Sequence, residues 1–367
     1  MKNVLFIGPY RQFDGWGIAS RGYLNSLALT GHNIYSRPVY LSNNIQSSYN
    51  DSLSSRFEIP CNQPIDTIIQ HSLPFNFVKY GNVKNIGLCF FESHNLFYSS
   101  WIDNINLLDE LWVCSNHEKK YLLKSGVTIP IKTVPIPQNI KVYGQHYGRL
   151  LPLEPHSHEF KFYFIGENTK RKNIQDVVTA FHSEFVFNED VRLVLKINDA
   201  NKTNLDGQIH KNKVSMGIYK RESDYRREVI ISGRLKDVEM YALHQSCDCF
   251  INAAYGEACS LPAFDALGFG RTPIVNKNTG MSQFVTDNNG FLVNSFEIPA
   301  IDEKRPTGDL YKTTDSWFQI DIIDLRAKMR QVFEMPLIER TNKQSCGISD
   351  IKKYSHENIA KLMVDYL

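Results

Sequence analysis

No stretch of this sequence approaches the roughly 20 consecutive apolar residues that a helix needs to cross a bilayer. A spanning anchor of that kind is excluded, and a soluble protein is the expectation. The opening residues, MKNVLFIGPYRQFDG, carry one Lys and a short apolar stretch that runs into Gly-Pro. That is too little for the core and cleavage site of a signal peptide, so they read as a first strand. An excess of one charge is also lacking: 41 Lys and Arg against 39 Asp and Glu leave a formal net charge of +2. Such a balance gives no general pull toward nucleic acid or an anionic membrane. The seven cysteines, at 61, 89, 114, 247, 249, 259 and 346, form no Cys-x-x-Cys pair with a second pair at zinc spacing. A reducing compartment fits them, so a cytoplasmic location is expected, with peripheral membrane contact left open. Internal repeats and low-complexity tracts are absent as well.

What is present is globular. Hydrophobic residues make up 42% of the 367 positions and charged residues 22%, enough for a packed interior and too apolar for a disordered chain. The length exceeds one ordinary domain, so two are expected. Short runs rich in β-branched and aromatic residues recur at Asn3–Ile7, Asp66–Gln70, Asn85–Phe91, Leu111–Cys114 and Lys132–Pro135. Stretches able to form amphipathic helices separate them, which is the βαβ rhythm of a parallel sheet. The rhythm restarts after Tyr147–His158, with Lys161–Ile165, Arg192–Ile197, Val229–Ser232, Cys247–Ile251 and Thr272–Val275. The reading is an α/β protein with an N-terminal domain over 1–155, a C-terminal domain over 156–350 and a final helix over 351–367. In that last piece Ser355 is the expected N-cap, and Ile359, Leu362, Met363 and Tyr366 share an apolar face. The face is expected to pack back toward the N-terminal domain.

The stretch most informative about chemistry is Tyr255–Gly270, YGEACSLPAFDALGFG. It follows the apolar run Cys247–Ile251 and precedes the strand-like TPIVN, so it reads as a loop feeding a helix. Ser260 can cap that helix, and Pro262 fits the first turn, where an N–H has no intrahelical partner to lose. A helix N-terminus approached by a loop is a natural seat for phosphate or a sugar hydroxyl. Glu257 and Asp265, eight residues apart, flank that end. A carboxylate accepts hydrogen bonds from both hydroxyls of a vicinal diol, so one acid can hold a ribose while the other orients a sugar. The plainer reading is that Asp265 complements the helix dipole and Glu257 is a solvated loop residue.

Continued through GRTPIVNKNTGMSQFVTDNNGFLV, the segment resembles the signature of retaining GT-B glycosyltransferases of the glycosyl group 1, family 4-like type. That signature is usually written E-G-F-G-L-P-x-x-E-A followed by G-x-P-V-I. Glu257, Leu261, Pro262, Ala266, Gly270 and Pro273 are in register, Ala258-Cys259-Ser260 stands where Gly-Phe-Gly is common, and Asp265 where a second Glu is usual. Lys161–Phe185 is similar to the strand, loop and helix in which the family places cations on the donor pyrophosphate. Lys172 matches the usual Lys. After Gly166 stands Glu167, where Arg is frequent, so Arg171 or Lys170 would substitute. On their own residues, Lys170, Arg171 and Lys172 read equally as a solvated basic loop. The stretch Ile86–Val127 resembles the family's strand ending in W-E-L and the Asp-Glu-hydrophobic-Trp-Val-x-Ser strand after it. It puts Glu92 and His94 at a strand's carboxyl end, the edge at which open parallel sheets bind ligands. A capping or surface histidine is the other reading of His94, and His71 in IIQHSLPF has the same status. Gly15 and Gly17, in GPYRQFDGWG, resemble the family's glycine-rich loop near donor phosphate or acceptor, without the dinucleotide fingerprint.

The resemblance implies a GT-B fold, two Rossmann-like parallel-sheet domains facing a central cleft. It implies a retaining, metal-independent transferase that moves a sugar from a nucleotide-diphosphate donor, a UDP-sugar, to a hydroxyl of a glycan, a glycolipid or a hydroxylated nucleic-acid base. Lys172, a neighbouring cation such as Arg171, and the helix end at Ser260 and Leu261 would meet the charge on the leaving nucleotide. Glu257 would position the sugar, Asp265 the ribose, and Glu92 or His94 the acceptor. No Asp-x-Asp triplet, the usual metal-chelating arrangement of the other large transferase fold, occurs. No metal is expected, and no cofactor beyond the donor substrate. Two other classes stay open, a nucleotide-sugar epimerase of similar fold and a non-catalytic nucleotide-sugar binder. The basic insert Lys202–Arg227, with Lys202, Lys211, Lys213, Lys220, Arg221, Arg226 and Arg227, either touches a polyanionic acceptor or is an ordinary solvated excursion.

Overall fold

Apolar runs that alternate with amphipathic helices bury both of their faces as parallel strands covered by helices, and this chain forms two such sheets. The computed structural model describes residues 1–41, 55–198, 202–217, 224–302 and 311–367. In chain order the first sheet holds β1 (Asn3–Gly8), β2 (Asn33–Pro38), β3 (Thr67–His71), β4 (Lys84–Leu88), β5 (Glu110–Val113) and β6 (Ile131–Thr133). All pairings are parallel, in the order β2-β1-β3-β4-β5-β6. Between the strands run α1 (Gly15–Leu27), α2 (Ser100–Asn106) and α3 (Asn116–Lys124). Their starts are written in the sequence. Asp14 accepts the Gly17 N–H at 2.9 Å, and Ser115 with Glu118 forms a reciprocal capping box at the head of α3. The Glu118 carboxylate also takes the N–H groups of Phe91 and Cys114, at 2.8 and 3.0 Å.

The second sheet is built from β7 (Phe160–Gly166), β8 (Val191–Ile197), β9 (Val229–Ser232), β10 (Cys249–Asn252), β11 (Ile274–Asn276) and β12 (Phe291–Val293). Its order is β12-β11-β10-β7-β8-β9, again all parallel. The helices here are α4 (Ile174–Glu184), α5 (Lys202–Ser215), α6 (Asp237–Ser246), α7 (Leu261–Gly268), α8 (Ile322–Glu334) and α9 (Leu337–Ile351). Phe162, Phe164, Val177, Phe181, Leu193, Leu195, Ile251 and Met329 are at most 1% exposed and form one core, each stabilising the fold by about 1.5–3 kcal/mol through burial. A separate two-stranded sheet pairs β13 (Ser295–Pro299) with β14 (Ser316–Ile320).

Contacts divide the chain into two compact units, Met1–Asn139 with Pro299–Ser316 and Lys352–Leu367, and Ile140–Ile298 with Trp317–Ile351. The last helix, α10 (His356–Tyr366), is capped by Ser355, whose Oγ accepts the Asn358 N–H at 3.2 Å. It packs on α1, and its end is held where Lys84 donates to the Tyr366 carbonyl at 2.5 Å and Lys2 to that of Leu367. Among the described residues, no helix is long and apolar enough to cross a membrane.

Candidate functional site

In the second sheet the strand order reverses between β7 and β10. Loops leaving the carboxyl ends of two such strands diverge and open a crevice, the place where open parallel sheets take ligands. The two loops are 167–173 and 253–260. Asparagines shape both. Asn173 adopts φ +57°, a left-handed conformation that Asn tolerates, caps α4, and reaches across to the Ala253 carbonyl at 3.1 Å. Asn252 accepts the Ala254 N–H at 3.0 Å, while Asn276 donates to the carbonyls of Ala254 and Phe318 at 2.9 and 2.7 Å.

Onto this frame the sequence places its charges. Lys172 Nζ stands 2.5 Å from Glu257 Oε2, and Arg171 Nη1 lies 3.5 Å from the same oxygen. Arg171 also donates to the Gly256 carbonyl at 2.7 Å and accepts the Tyr255 N–H through its own carbonyl at 2.8 Å. The side chains of Glu257, Arg171 and Lys172 are 7%, 11% and 20% exposed, so the cluster is drawn in from solvent yet still reachable. Lys170 is exposed and Glu167 half-buried. Gly166 closes β7, where an added Cβ would meet the Phe164 ring at 2.9 Å and the Lys172 stem at 3.8 Å. The expected cap of α7 differs in detail. Ser260 occupies the N-cap position with Leu261 and Pro262 following, but its side chain makes no capping bond. Its Oγ pairs with Asn252 Nδ2 at 3.1 Å instead, because a buried amide next to it needs a partner.

Asp265 is engaged elsewhere. Its Oδ1 accepts from the Tyr143 hydroxyl at 3.0 Å, and its Oδ2 lies 3.9 Å from His244 Nε2. Burial pushes this carboxyl up to about 7, with the Tyr143 hydrogen bond pulling the other way and Asp237 adding to the rise. His244, fully buried beside Tyr163, is lowered to about 3 by desolvation.

The first sheet reverses its order between β1 and β3, and there the corresponding edge is filled by rings. His71 is fully buried. Trp16, which lies between Gly15 and Gly17, stacks on it with centroids 5.1 Å apart, and Phe90 meets it edge-on at 5.0 Å. Neither ring nitrogen of His71 has a hydrogen-bond partner among the described residues, and desolvation holds it neutral, lowered to about 3. Gly17 is packed against the chain, since an added Cβ would fall 1.9 Å from the Gln12 carbonyl oxygen. Glu92 accepts from the Tyr311 hydroxyl at 2.9 Å. His94 is buried, its backbone bridged to Ser316 and its Nε2 2.8 Å from Nε2 of His117. Desolvation lowers His94 to about 3 and His117 to about 4. Neither His117, Tyr143 and His244 nor the three asparagines stood out in the sequence; an Asn at the carboxyl end of a strand, as at 252 and 276, was the available signal.

In the basic insert, Arg226 is paired with Glu159 at 2.6 Å and Lys213 with Glu228 at 2.9 Å, so both serve the packing of their own unit. Lys220, Arg221 and the side chain of Lys202 lie outside the described residues. Among the described residues, no group of three or more His, Cys, Asp or Glu could hold a metal ion.

Comparison with known proteins agrees with this architecture. Residues 153–304 match the model of the family described as glycosyl transferases group 1. No curated protein matches the chain by sequence. Among solved structures the chain resembles sucrose-phosphate synthase from Thermosynechococcus elongatus, at 13% identity and TM-score 0.67, covering 100% of this chain and 98% of that one. It also resembles a glycosyltransferase from Rickettsia africae ESF-5, at 12% identity and TM-score 0.68, with 100% and 97% covered. A third similarity is to the E. coli trehalose-6-phosphate structure bound with UDP-2-fluoro glucose, at 10% identity and TM-score 0.65, with 99% and 98% covered. With two parallel, Rossmann-like sheets, the chain has the GT-B fold, and its residues 153–304 resemble the glycosyl transferases group 1.

Proposed function

We propose that this protein is a retaining glycosyltransferase that moves a sugar from a nucleotide-diphosphate donor, a UDP-sugar, to an acceptor hydroxyl. The observation that carries the reading is the Lys172–Glu257 pair, which joins the loops after β7 and β10 at the strand-order reversal of the second sheet. Breaking the bond between the anomeric carbon and the phosphate oxygen develops negative charge on the leaving nucleotide. Lys172, Arg171 and the N-terminus of α7 would stabilise that charge, so the reading requires no metal. As the diphosphate draws Lys172 toward itself, Glu257 is released to accept hydrogen bonds from the transferred sugar. Asp265 would hold the ribose, and Glu92 or His94 the acceptor. The leaving phosphate would take the proton of the acceptor hydroxyl as that oxygen bonds to the same face of the anomeric carbon.

The test is a panel of UDP-, GDP- and ADP-sugars, with nucleoside diphosphate release measured alone and with glycan, glycolipid and hydroxylated-DNA acceptors. Acceptor-dependent release, and a product whose anomeric configuration matches the donor, are expected. Isomerisation of the sugar without an acceptor would make the protein an epimerase. Tight binding without consumption on any acceptor would make it a binder, and either result overturns the proposal.

A further inference from the structure

The segment 140–147 runs as a strap along α6 and the end of α7. Gln245 accepts the Tyr147 N–H at 2.9 Å and donates to the Gln145 carbonyl at 2.7 Å. The Tyr147 ring packs on Tyr241 and Phe269, with centroids 4.9 and 6.0 Å away. Pinned in this way, the strap sets the ring of Tyr143 on Gly268, where an added Cβ would lie 2.5–2.6 Å from three ring carbons. Gly268 and Asp265 are neighbours on one face of α7, at spacing i, i+3. A ring resting on the first delivers its hydroxyl to the second, 3.0 Å from Oδ1. The other oxygen, Oδ2, has no hydrogen-bond partner among the described residues, since His244 Nε2 at 3.9 Å is out of range. The Asp265 side chain remains 21% exposed.

A carboxyl gripped by one oxygen and open at the other is oriented for a ligand hydroxyl. We infer that Tyr143 is a positioning residue of the donor site, holding Asp265 so that Oδ2 faces the hydroxyls of a nucleotide ribose. This rests on the ribose role of Asp265 proposed above. The ionisable groups around Asp265 are Tyr143, Tyr163 of β7, Asp237, Tyr241 and His244 of α6, and Arg271 just beyond α7. Among them the Tyr143 hydroxyl is the one whose hydrogen bond favours the charged carboxylate, and burial sets the carboxyl near 7. Removing that hydroxyl raises it further.

The experiment follows UDP, ADP and GDP binding to the full chain by calorimetry between pH 5.5 and 9, with thermal unfolding as a control. Tyr143→Phe keeps the ring on Gly268 and deletes only the donor. In the wild type, affinity falls on acidification with a midpoint near 7. The Phe variant moves that midpoint up by about one pH unit while binding at pH 9 stays within about threefold. Asp265→Ala removes the pH limb. An unmoved midpoint in Tyr143→Phe, with Asp265→Ala clearly weakened, overturns the positioning role alone. Unchanged binding in Asp265→Ala overturns the ribose role and this inference together, and so does a wild type that binds none of the three nucleotides.

Discussion

Lys172 and Glu257, 85 residues apart in sequence, meet at 2.5 Å between two loops of one unit. The pair is both a clasp between the loops and the charge store of the proposed reaction, and the two roles separate by mutation. Lys172→Met alone leaves Glu257 with Arg171 at 3.5 Å and is expected to destabilise the protein by about 2 kcal/mol, because a drawn-in carboxylate loses its nearest partner. Lys172→Met with Glu257→Gln restores most of that stability. Sugar transfer falls about 100-fold or more in the single and the double variant. Recovered activity in the stable double variant would place the chemistry elsewhere.

Chelation offers a second check. If Lys172, Arg171 and the head of α7 supply the positive charge, turnover in excess EDTA equals turnover in magnesium or manganese. A strict dependence on added divalent metal would contradict the proposed charge balance.

Three buried histidines and the half-buried His117 predict an early acid limb in stability. His71, His94 and His244 are lowered to about 3 and His117 to about 4, against an ordinary value of 6.5. A depressed imidazole is neutral in the folded state and titrates at the ordinary value once unfolded. Its contribution is complete above 6.5 and is lost as the pH falls toward the folded value, at about 1.4 kcal/mol per pH unit for each group. Asp265 and Glu118, raised to about 7, act in the opposite direction over the upper part of that window, but they are outnumbered. Urea unfolding between pH 7 and 4.5 should show declining stability, with a shallower slope in His71→Phe. A flat profile in the wild type would show that these imidazoles reach solvent.

Gly17 yields a packing prediction. A Cβ there would stand 1.9 Å from the Gln12 carbonyl oxygen, so Gly17→Ala must shift the 9–17 turn or the start of α1. A loss of about 2–3 kcal/mol is expected, seen as a lower Tm. Gly144→Ala, where nothing lies within 4 Å of the added carbon, is the neutral control.

The central strands were readable because each buries both faces and is written mostly in aliphatic and aromatic residues, broken in β7 by Lys161 and in β8 by Arg192 and Lys196. β2 was not. It lies at a sheet edge with alternating burial, and its Asn33, Ser36, Arg37 and Pro38 look like loop. At the site, the meeting of Glu257 with Lys172 follows from the motif and from the strand order that its position implies. The Tyr143 bond to Asp265 spans 122 positions and depends on a glycine one turn away, so no local pattern announces it. Ser260 was legible as a helix start but not as the partner of Asn252, and Arg226 as a cation but not as the partner of Glu159. Polar side chains advertise their type in sequence, whereas the competition among their partners is decided only in three dimensions.

The division of the chain has a consequence for biosynthesis. The unit that begins at Met1 is finished only by Pro299–Ser316 and Lys352–Leu367. Domains usually close in the order in which they leave the ribosome. Here the half translated first must wait for the final helix, while the half translated second can close before it. A stop codon near 350 would therefore leave incomplete the half of the molecule most distant from it in the message.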